Sequence, residues 1–279
     1  MRLVNAAKHF DRLSVFDGYS GRHLFLAQFD LYDDSMRDAV SVQRRILSTP
    51  IEARMPERQV ITVDGDTRWI AGTAVQPDYF NDRLIRLKHI LHRASGLARV
   101  RSAGETIAQL GGLAAYGSLA WMKDWKEVEF SNKAYSYYEV YFAKGEAVYP
   151  GSYIDLDGLL LRCRNTYLSE GGFLIAEADD ISGSRQYLTY RARSTYDPVA
   201  DSYTTADGSV LALVMRFAVN YEYAQEAAPD RKPGDLVCLV RATDVLTPLA
   251  GSEVMLSGVT YRVLTSEVEA DCWRLHLRP

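Results

Sequence analysis

The sequence predicts a mainly β protein in which repeated β-hairpin or meander units form small barrels or sandwiches, with little helix. Two observations carry this prediction. A strand–turn–strand motif occurs three times, and apolar residues alternate with polar ones along several other segments. The hydrophobic content of 47% in 279 residues is enough for packed cores, and the length suits one large or two modest domains.

The repeat is clearest in two segments that lie one hundred residues apart. Residues 151–158 align without gaps with residues 251–258. The alignment continues with Arg162 on Arg262, Cys163 on Val263, Phe173 on Trp273 and Ile175 on Leu275. A weaker third copy precedes the middle one, with residues 61–65 followed by Trp69, Ile70 and Phe80. Three related copies favour an architecture built from one repeated unit.

Each copy places a turn dipeptide between two alternating strands, either Asp-Gly or Ser-Gly. A tight primed turn needs positive φ at both central residues, which glycine adopts without steric cost. We therefore expect Gly65, Gly158 and Gly258 at the second position of two-residue hairpin turns. Each unit is then a three-stranded meander, and it needs other strands to cover its apolar face.

The copies divide the chain into two predicted domains. Residues 1–104 form an N-terminal β domain with the first copy at 58–87. Residues 128–279 form a C-terminal β domain with copies at 138–178 and 238–279. The segment 105–127 between them is small and apolar without clear periodicity, and we interpret it as a linker. Short helices are predicted near 5–13 and within 103–125.

A long alternating stretch at 211–223 predicts a further strand. At about 3.3 Å per residue it would span roughly 40 Å, which exceeds a usual strand. Its predicted partner is 185–193, across a turn-rich loop at 196–208. Residues 185–223 are thus a candidate β-arm that either bends between sheets or projects towards a neighbour.

Catalytic motifs are absent from the sequence, which lacks the signatures of serine hydrolases, P-loop enzymes, zincins and dinucleotide-binding folds. His89 and His92 would face opposite sides of a strand, without a nearby acid or cysteine to complete a metal site. Asp179 and Asp180, with Glu170 and Glu177, are better explained as solvated acids than as a glycosidase pair. We predict a protein that is not an enzyme and has no metal or cofactor.

Three cysteines without a C-x-x-C pair predict buried thiols in a reducing compartment. The first residues lack the apolar core of a signal peptide, and no run of about 18 apolar residues occurs. The expected location is therefore the cytosol, with no contact with a membrane.

Charge is unevenly distributed along the chain. Residues 1–101 carry 16 basic and 12 acidic residues, whereas the remainder carries 16 and 24. A window between Asp82 and Glu105 contains no acid, and its basic residues are Arg83, Arg86, Lys88, Arg93, Arg99 and Arg101. These residues are candidates for contact with DNA or with an acidic neighbouring subunit. The alternative is that they guard a strand edge with positive charge.

Residues 60–70 and, more strongly, 248–277 resemble the small β proteins that close the heads of tailed bacteriophages and join them to tails. Both segments carry a similar strand, turn and aromatic strand, and the likeness covers about 40 residues per copy, an approximate span for one meander. The resemblance implies a virion protein, made in the host cytoplasm, that forms a ring of six or twelve copies around the DNA channel. Its neighbours would be a portal or adaptor protein, a tail protein and the packaged DNA, which it would contact without sequence specificity. This chain is longer and holds several copies, so a closure ring, a longer neck adaptor and a tail component all remain open.

A second hypothesis is a tail or baseplate module that binds a carbohydrate or receptor on aromatic platforms. The tryptophans Trp69, Trp121, Trp125 and Trp273 would then be exposed. A third hypothesis, an unrecognised hydrolase, needs coupled carboxylates in a cleft.

Overall fold

The computed structural model describes residues 13–31, 44–63, 65, 67–128, 131–216, 234–245 and 251–279. These residues form eighteen β-strands and one short helix, so the prediction of a mainly β fold is confirmed. The strands make three closed, antiparallel barrels of six strands each. The helix expected near 5–13 lies almost wholly outside the described residues.

The barrels follow one another along the chain. Barrel 1 contains β1 (Leu13–Asp17), β2 (His23–Leu31), β3 (Arg44–Thr49), β4 (Val60–Val63), β5 (Arg68–Phe80) and β6 (Arg83–Arg93). Barrel 2 contains β7 (Gly96–Arg101), β8 (Leu113–Val128), β9 (Ser131–Phe142), β10 (Tyr153–Leu156), β11 (Leu159–Leu168) and β12 (Leu174–Asp180). Barrel 3 contains β13 (Arg185–Asp197), β14 (Ser202–Arg216), β15 (Leu236–Arg241), β16 (Glu253–Leu256), β17 (Val259–Glu269) and β18 (Cys272–Arg278).

All three barrels share one strand order. Numbered within a barrel, the ring runs first, second, third, sixth, fifth and fourth strand. Each barrel is therefore two three-stranded meanders that meet along two seams. The motif found in the sequence is the second meander of each barrel. A β-bulge follows the equivalent inward residues Ala71, Cys163 and Val263 in the fifth strand of each.

The register corrects one part of the sequence alignment. Cys163 pairs with Ala178, whereas Val263 pairs with Leu277, so the spacing between the paired positions differs by one residue. Leu275 in the core of barrel 3 therefore corresponds to Ala176 in the core of barrel 2. Ile175, the residue that the alignment matched with Leu275, lies on the outside of barrel 2.

By compactness, the chain divides into two units. Unit 1 contains barrels 1 and 2, and unit 2 contains barrel 3 with the segment 101–112. The structure therefore replaces the predicted boundary and the predicted linker at 105–127. Most of that segment is β8, a wall strand of barrel 2 that pairs with β7 and β9. Its small residues suit the crowded barrel wall, which explains the missing periodicity; Ala115, for example, is 1% exposed.

The helix α1 (Ala103–Ala108) belongs to unit 2. Ser102 caps its first turn, and Glu105 completes a capping box. Asp271 accepts hydrogen bonds from Ser102 Oγ at 3.1 Å and from the Gly104 amide at 3.3 Å. The helix packs on β14 and β15, where Ile107 and the paired residues Leu213 and Leu239 are fully buried.

This packing explains why β14 differs from the alternating pattern that predicted it. The residues of β14 that enter the core of barrel 3 are Ala212 and Val214. Leu213, which belongs to the predicted apolar row, faces outward and is buried on the side where α1 packs. Residues 217–223 of the predicted strand lie outside the described residues.

The hairpin glycines occupy two kinds of connection. Asp157-Gly158 and Ser257-Gly258 are two-residue turns in which all four residues have positive φ, with 79° at Gly158 and 82° at Gly258. Gly65 also has positive φ, at 144°, but it lies in a four-residue connection between β4 and β5. The first copy is thus also a meander, but its turn between β4 and β5 is longer.

We expect Gly158→Ala and Gly258→Ala each to lower the free energy of unfolding by about 1–2 kcal/mol, because a Cβ disfavours left-handed backbone. Neither Cβ would meet another atom within 4 Å, so the cost is conformational. Urea denaturation would measure it. Gly96→Ala is the control, since its φ is not positive and its Cβ would make only one ordinary contact, with Leu156 at 3.4 Å. Equal losses for all three variants would contradict the turn assignment.

Candidate assembly interface

Each barrel extends one hairpin beyond the strands that flank it. The β5–β6 arm comprises residues 75–88; β3 pairs with β6 only from Leu87 onwards, so residues 78–86 lie wholly beyond β3. The β8–β9 arm comprises residues 122–137, and the β13–β14 arm comprises residues 191–207. Towards each tip, the two arm strands pair only with each other among the described strands. Their outer edges therefore carry backbone groups that another strand could bind.

The β13–β14 arm lies within the segment that the sequence marks as a candidate β-arm, 185–223. Its two strands pair from Arg185 with Leu213 to Asp197 with Ser202. The connection at the tip is only residues 198–201, much shorter than the loop predicted at 196–208. Most of that predicted loop is strand, because its threonine and tyrosine residues suit a two-stranded ribbon.

The β5–β6 arm has one apolar face, which continues the inner wall of barrel 1. Paired residues on that face are Pro77 with Leu87 and Tyr79 with Leu84. Tyr79 is 61% exposed and Val75 is 40% exposed. An exposed apolar face on a two-stranded ribbon is unusual in a protein that functions alone, because such ribbons need a third surface for stability.

The opposite face of this arm is charged. Asp78 lies between two basic residues, 3.2 Å from Arg86 Nη2 and 3.6 Å from Lys88 Nζ. Arg86 also donates to the side-chain oxygen of Gln28 on β2. These contacts hold two of the six predicted contact residues against their own barrel. Sequence reasoning missed Asp78 and Tyr79, since Pro77 weakens the strand signal at this point.

The six basic residues of the predicted window do not form one surface. Arg83, Arg86, Lys88 and Arg93 lie on β6, with Arg83 exposed at the tip of the arm and Arg93 exposed at the other end. Arg99 is exposed on β7 of barrel 2. Arg101 begins the segment of unit 2 and donates to the Gly111 carbonyl at 3.5 Å. The β6 residues alone therefore remain a candidate basic contact surface.

Barrels 1 and 2 meet through a buried cluster within unit 1. The outer residue Ile70 of barrel 1 packs with Tyr141 and Phe173 of barrel 2. His92 stacks on Tyr141 with ring centroids 4.3 Å apart and meets Phe173 edge-on at 4.4 Å. At the margin, Arg58 Nη2 lies 2.9 Å from Glu146 Oε1.

Polar groups within this junction are arranged around one buried carboxylate. Tyr141 donates to Glu139 Oε2 at 2.6 Å, and Tyr167 donates to Glu139 Oε1 at 2.9 Å. Burial raises the pKa of Tyr141, and the hydrogen bond to Glu139 raises it further. Burial, together with the Arg44 guanidinium, lowers the pKa of His92 from 6.5 to about 3, so the ring is neutral at physiological pH.

The histidines and acids considered in the sequence are separated by the structure. His89 faces the interior of barrel 1, with Nε2 3.4 Å from Thr49 Oγ1, whereas His92 faces barrel 2. Asp179 lies 3.1 Å from Arg164 Nε, and burial raises the pKa of its carboxyl. Glu177 is the cross-strand neighbour of Glu139, which is only 6% exposed and holds two tyrosine hydroxyls. Glu139 and Glu177 therefore lie side by side on β9 and β12, and Asp179 forms a salt bridge with Arg164.

The three tryptophans whose side chains the structure describes do not share one exposed platform. Trp69 is 6% exposed in the core of barrel 1. Trp273 packs on the core of barrel 3 and donates from Nε1 to the Val245 carbonyl at 2.9 Å. Trp121, at 41%, is exposed near the base of the β8–β9 arm. The side chain of Trp125 lies outside the described residues.

Comparison with protein-family models, with curated proteins and with solved structures found no match. Within the described part of the chain, no helix is both long and apolar enough to cross a membrane. The same residues contain no group of three histidine, cysteine, aspartate or glutamate side chains placed to hold a metal ion.

The thiols give a simple test of the described packing. Cys163, Cys238 and Cys272 are free and buried. Burial raises the pKa of Cys163 to about 11 and that of Cys272 to about 12, so the thiolate is scarce at pH 8. We expect no rapid reaction with a thiol reagent at pH 8 until denaturant is added, when all three should react. Rapid labelling of the native protein, located by mass spectrometry, would contradict the described packing.

Proposed function

We propose that the chain is a ring-forming structural subunit of a tailed-bacteriophage virion, located at the head-to-tail connector around the DNA channel. The single observation that carries the proposal is the set of three projecting β-arms on three closed barrels. The proposal includes no catalytic activity and no cofactor. Its neighbours would be a portal or adaptor protein and a tail protein.

The arms support assembly because of where the free strand edges lie. Closure pairs the edges of a sheet and removes them from contact with other chains. Among the described strands, unpaired edges therefore remain mainly in the arms. A two-stranded ribbon is marginally stable in water by itself, so each arm gains stability from a further strand or surface. Contacts between different surfaces of identical subunits close into a ring when the rotation permits.

The resemblance to head-closure and head–tail joining proteins supplies the biological setting. The hairpin that carries the resemblance is the second meander of barrel 3, at the end of the described fold. In that setting the exposed basic residues of β6 face either packaged DNA or a neighbouring subunit. Synthesis would take place in the host cytoplasm, and the final location would be the neck or tail of the particle.

A tail or baseplate module that binds carbohydrate is the second candidate. The exposed Trp121 beside the β8–β9 arm favours it. The burial of Trp69 weakens it, because a platform for sugar needs accessible aromatic faces.

Two experiments test the proposal: locating the chain in images of the particle, and shortening the β13–β14 arm. Arg191 and Asp207 pair across β13 and β14, so an Asn-Gly turn can join them after removal of residues 192–206. We expect the variant to fold, because the deleted pairs lie outside the barrel, and to fail to join heads to tails. Electron microscopy of complemented particles would measure the joined fraction. A fully active variant, or a particle map without this chain at the joint, would refute the proposal.

A further inference from the structure

The second meanders of the barrels share one strand order but differ in their numbers of acidic and basic residues. The middle meander, residues 153–180, carries six acidic and two basic residues. The corresponding meander of barrel 3, residues 253–278, carries four and three. All three fold into the same strand order, so the acidic excess of the middle one is not needed for the barrel. An excess of this kind indicates a surface that meets a positively charged partner.

The matching positive surface lies on the same chain, in barrel 1. The strand β6 carries Arg83, Arg86, Lys88 and Arg93 and no acid. Three of these residues belong to the β5–β6 arm, where Arg86 and Lys88 share Asp78 and Arg83 is exposed at the tip. The other face of the arm exposes Tyr79 and Val75. Tyrosine and arginine together are typical of the residues that dominate binding energy in protein interfaces. The arm thus combines an apolar contact face with an exposed guanidinium at its tip.

We propose that the β5–β6 arm of one copy binds the acidic meander of barrel 2 in a second copy. This inference rests on the proposed function and names the contact that joins neighbouring subunits. Each copy brings one basic arm and one acidic meander, so each can contact two neighbours through two different surfaces. Repetition of one such contact gives a closed ring or an open filament, depending on the rotation between copies.

The chemistry of the contact follows from the two surfaces. Arg83 at the tip supplies an exposed guanidinium, and Tyr79 supplies an exposed ring. On the partner face, Asp157 in the β10–β11 turn and Asp180 at the end of β12 are exposed carboxylates. Opposite charges that meet at the rim of an interface accelerate association and make it sensitive to salt. The ring of Tyr79 and the side chain of Val75 would be covered at the centre of the contact.

Sedimentation velocity on the full chain at low and high salt tests the inference. We expect self-association at low salt that weakens as salt increases. Tyr79→Asp and Arg83→Glu should each weaken it about tenfold, since each removes one anchor of the contact. Asp180→Arg should weaken it similarly. The double variant with Arg83→Glu and Asp180→Arg should associate again, because the two charges are exchanged.

Matched controls come from exposed residues elsewhere on the chain. Tyr187→Asp changes a tyrosine that is 71% exposed on barrel 3, and Arg54→Glu changes an exposed arginine of barrel 1 outside the arm. Both should associate like the wild type, and circular dichroism should show that every variant is folded. Wild-type protein that remains monomeric at low salt, or arm variants that associate normally, would overturn the inference.

A particle map separates failure of this contact from failure of the proposed function. A ring at the head-to-tail joint whose copies touch through other surfaces would refute the arm–meander contact and leave the function standing. Self-association through the arm in solution, with no copy of the chain in purified particles, would support the contact and refute the location.

Discussion

Acidification should destabilise unit 1 through the buried ring of His92, and replacing this ring should remove the effect. The pKa of His92 is lowered from 6.5 to about 3 in the folded protein, because the ring is buried between two aromatic side chains and near Arg44. Below pH 6.5, His92 therefore binds a proton in the unfolded chain but not in the folded chain. The resulting stabilisation is complete above pH 6.5 and is lost as the pH falls towards 3.

The expected loss is about 1.4 kcal/mol per pH unit, or about 3 kcal/mol between pH 6.5 and pH 4. Hydrogen exchange resolved by peptide would measure it, because peptides from barrels 1 and 2 report unit 1 separately from barrel 3. His92→Gln should be less stable than the wild type at pH 7, where the stacking is lost, and should approach it at pH 4. A constant difference between the two proteins across this range would show that His92 is protonated in the fold.

Phe173→Ala should lower the free energy of unfolding of unit 1 by about 3–5 kcal/mol, because it opens a cavity in a packed junction. The phenyl ring is 2% exposed and packs edge-on against the stacked rings of His92 and Tyr141. The loss should reach both barrels of unit 1, since residues from each line the same cluster. Exchange of the β4–β6 and β10–β12 peptides should therefore accelerate together.

Tyr149→Ala is the matched control for this truncation. The side chain is 64% exposed in the same unit, so its removal should change stability by less than about 0.5 kcal/mol. If Phe173→Ala has an effect as small as that of the control, then the two barrels do not depend on this cluster. If exchange accelerates only in barrel 2, the junction does not couple the barrels.

The fold class was predictable because hairpin periodicity and turn residues are local signals. Residues 151–158 and 251–258 carry both signals, so their meanders are visible in the sequence. The first meander of each barrel was not visible as a repeat. Its first connection differs in length between the barrels, with residues 18–22 between β1 and β2, 102–112 between β7 and β8, and 198–201 between β13 and β14. Its strands therefore keep no fixed spacing in the sequence.

The candidate interface was only partly predictable for a related reason. The basic window named six candidate contact residues, but strand direction and barrel boundaries distribute them over β6, β7 and the segment of unit 2. The exposed apolar face with Tyr79 depends on where β3 and β4 end, and their ends are set by the barrel closure rather than by the arm itself. The role of α1 was hidden because its partners, Leu213 and Leu239, lie more than one hundred residues further along the chain.

The shared strand order also determines how far translation must proceed before each barrel can exist. The third strand of a barrel pairs with its sixth, so barrel 1 cannot close before Arg93 has left the ribosome, nor barrel 2 before Asp180. Domains emerging from the ribosome generally fold in order, at about 5–20 residues per second. The helix α1 is an exception to this order of folding, because it packs on β15, which ends only at Arg241. About 130 further residues must therefore be synthesised before β15 can cover Ile107. At these rates the side chain is exposed to chaperones and other nascent chains for several seconds to half a minute.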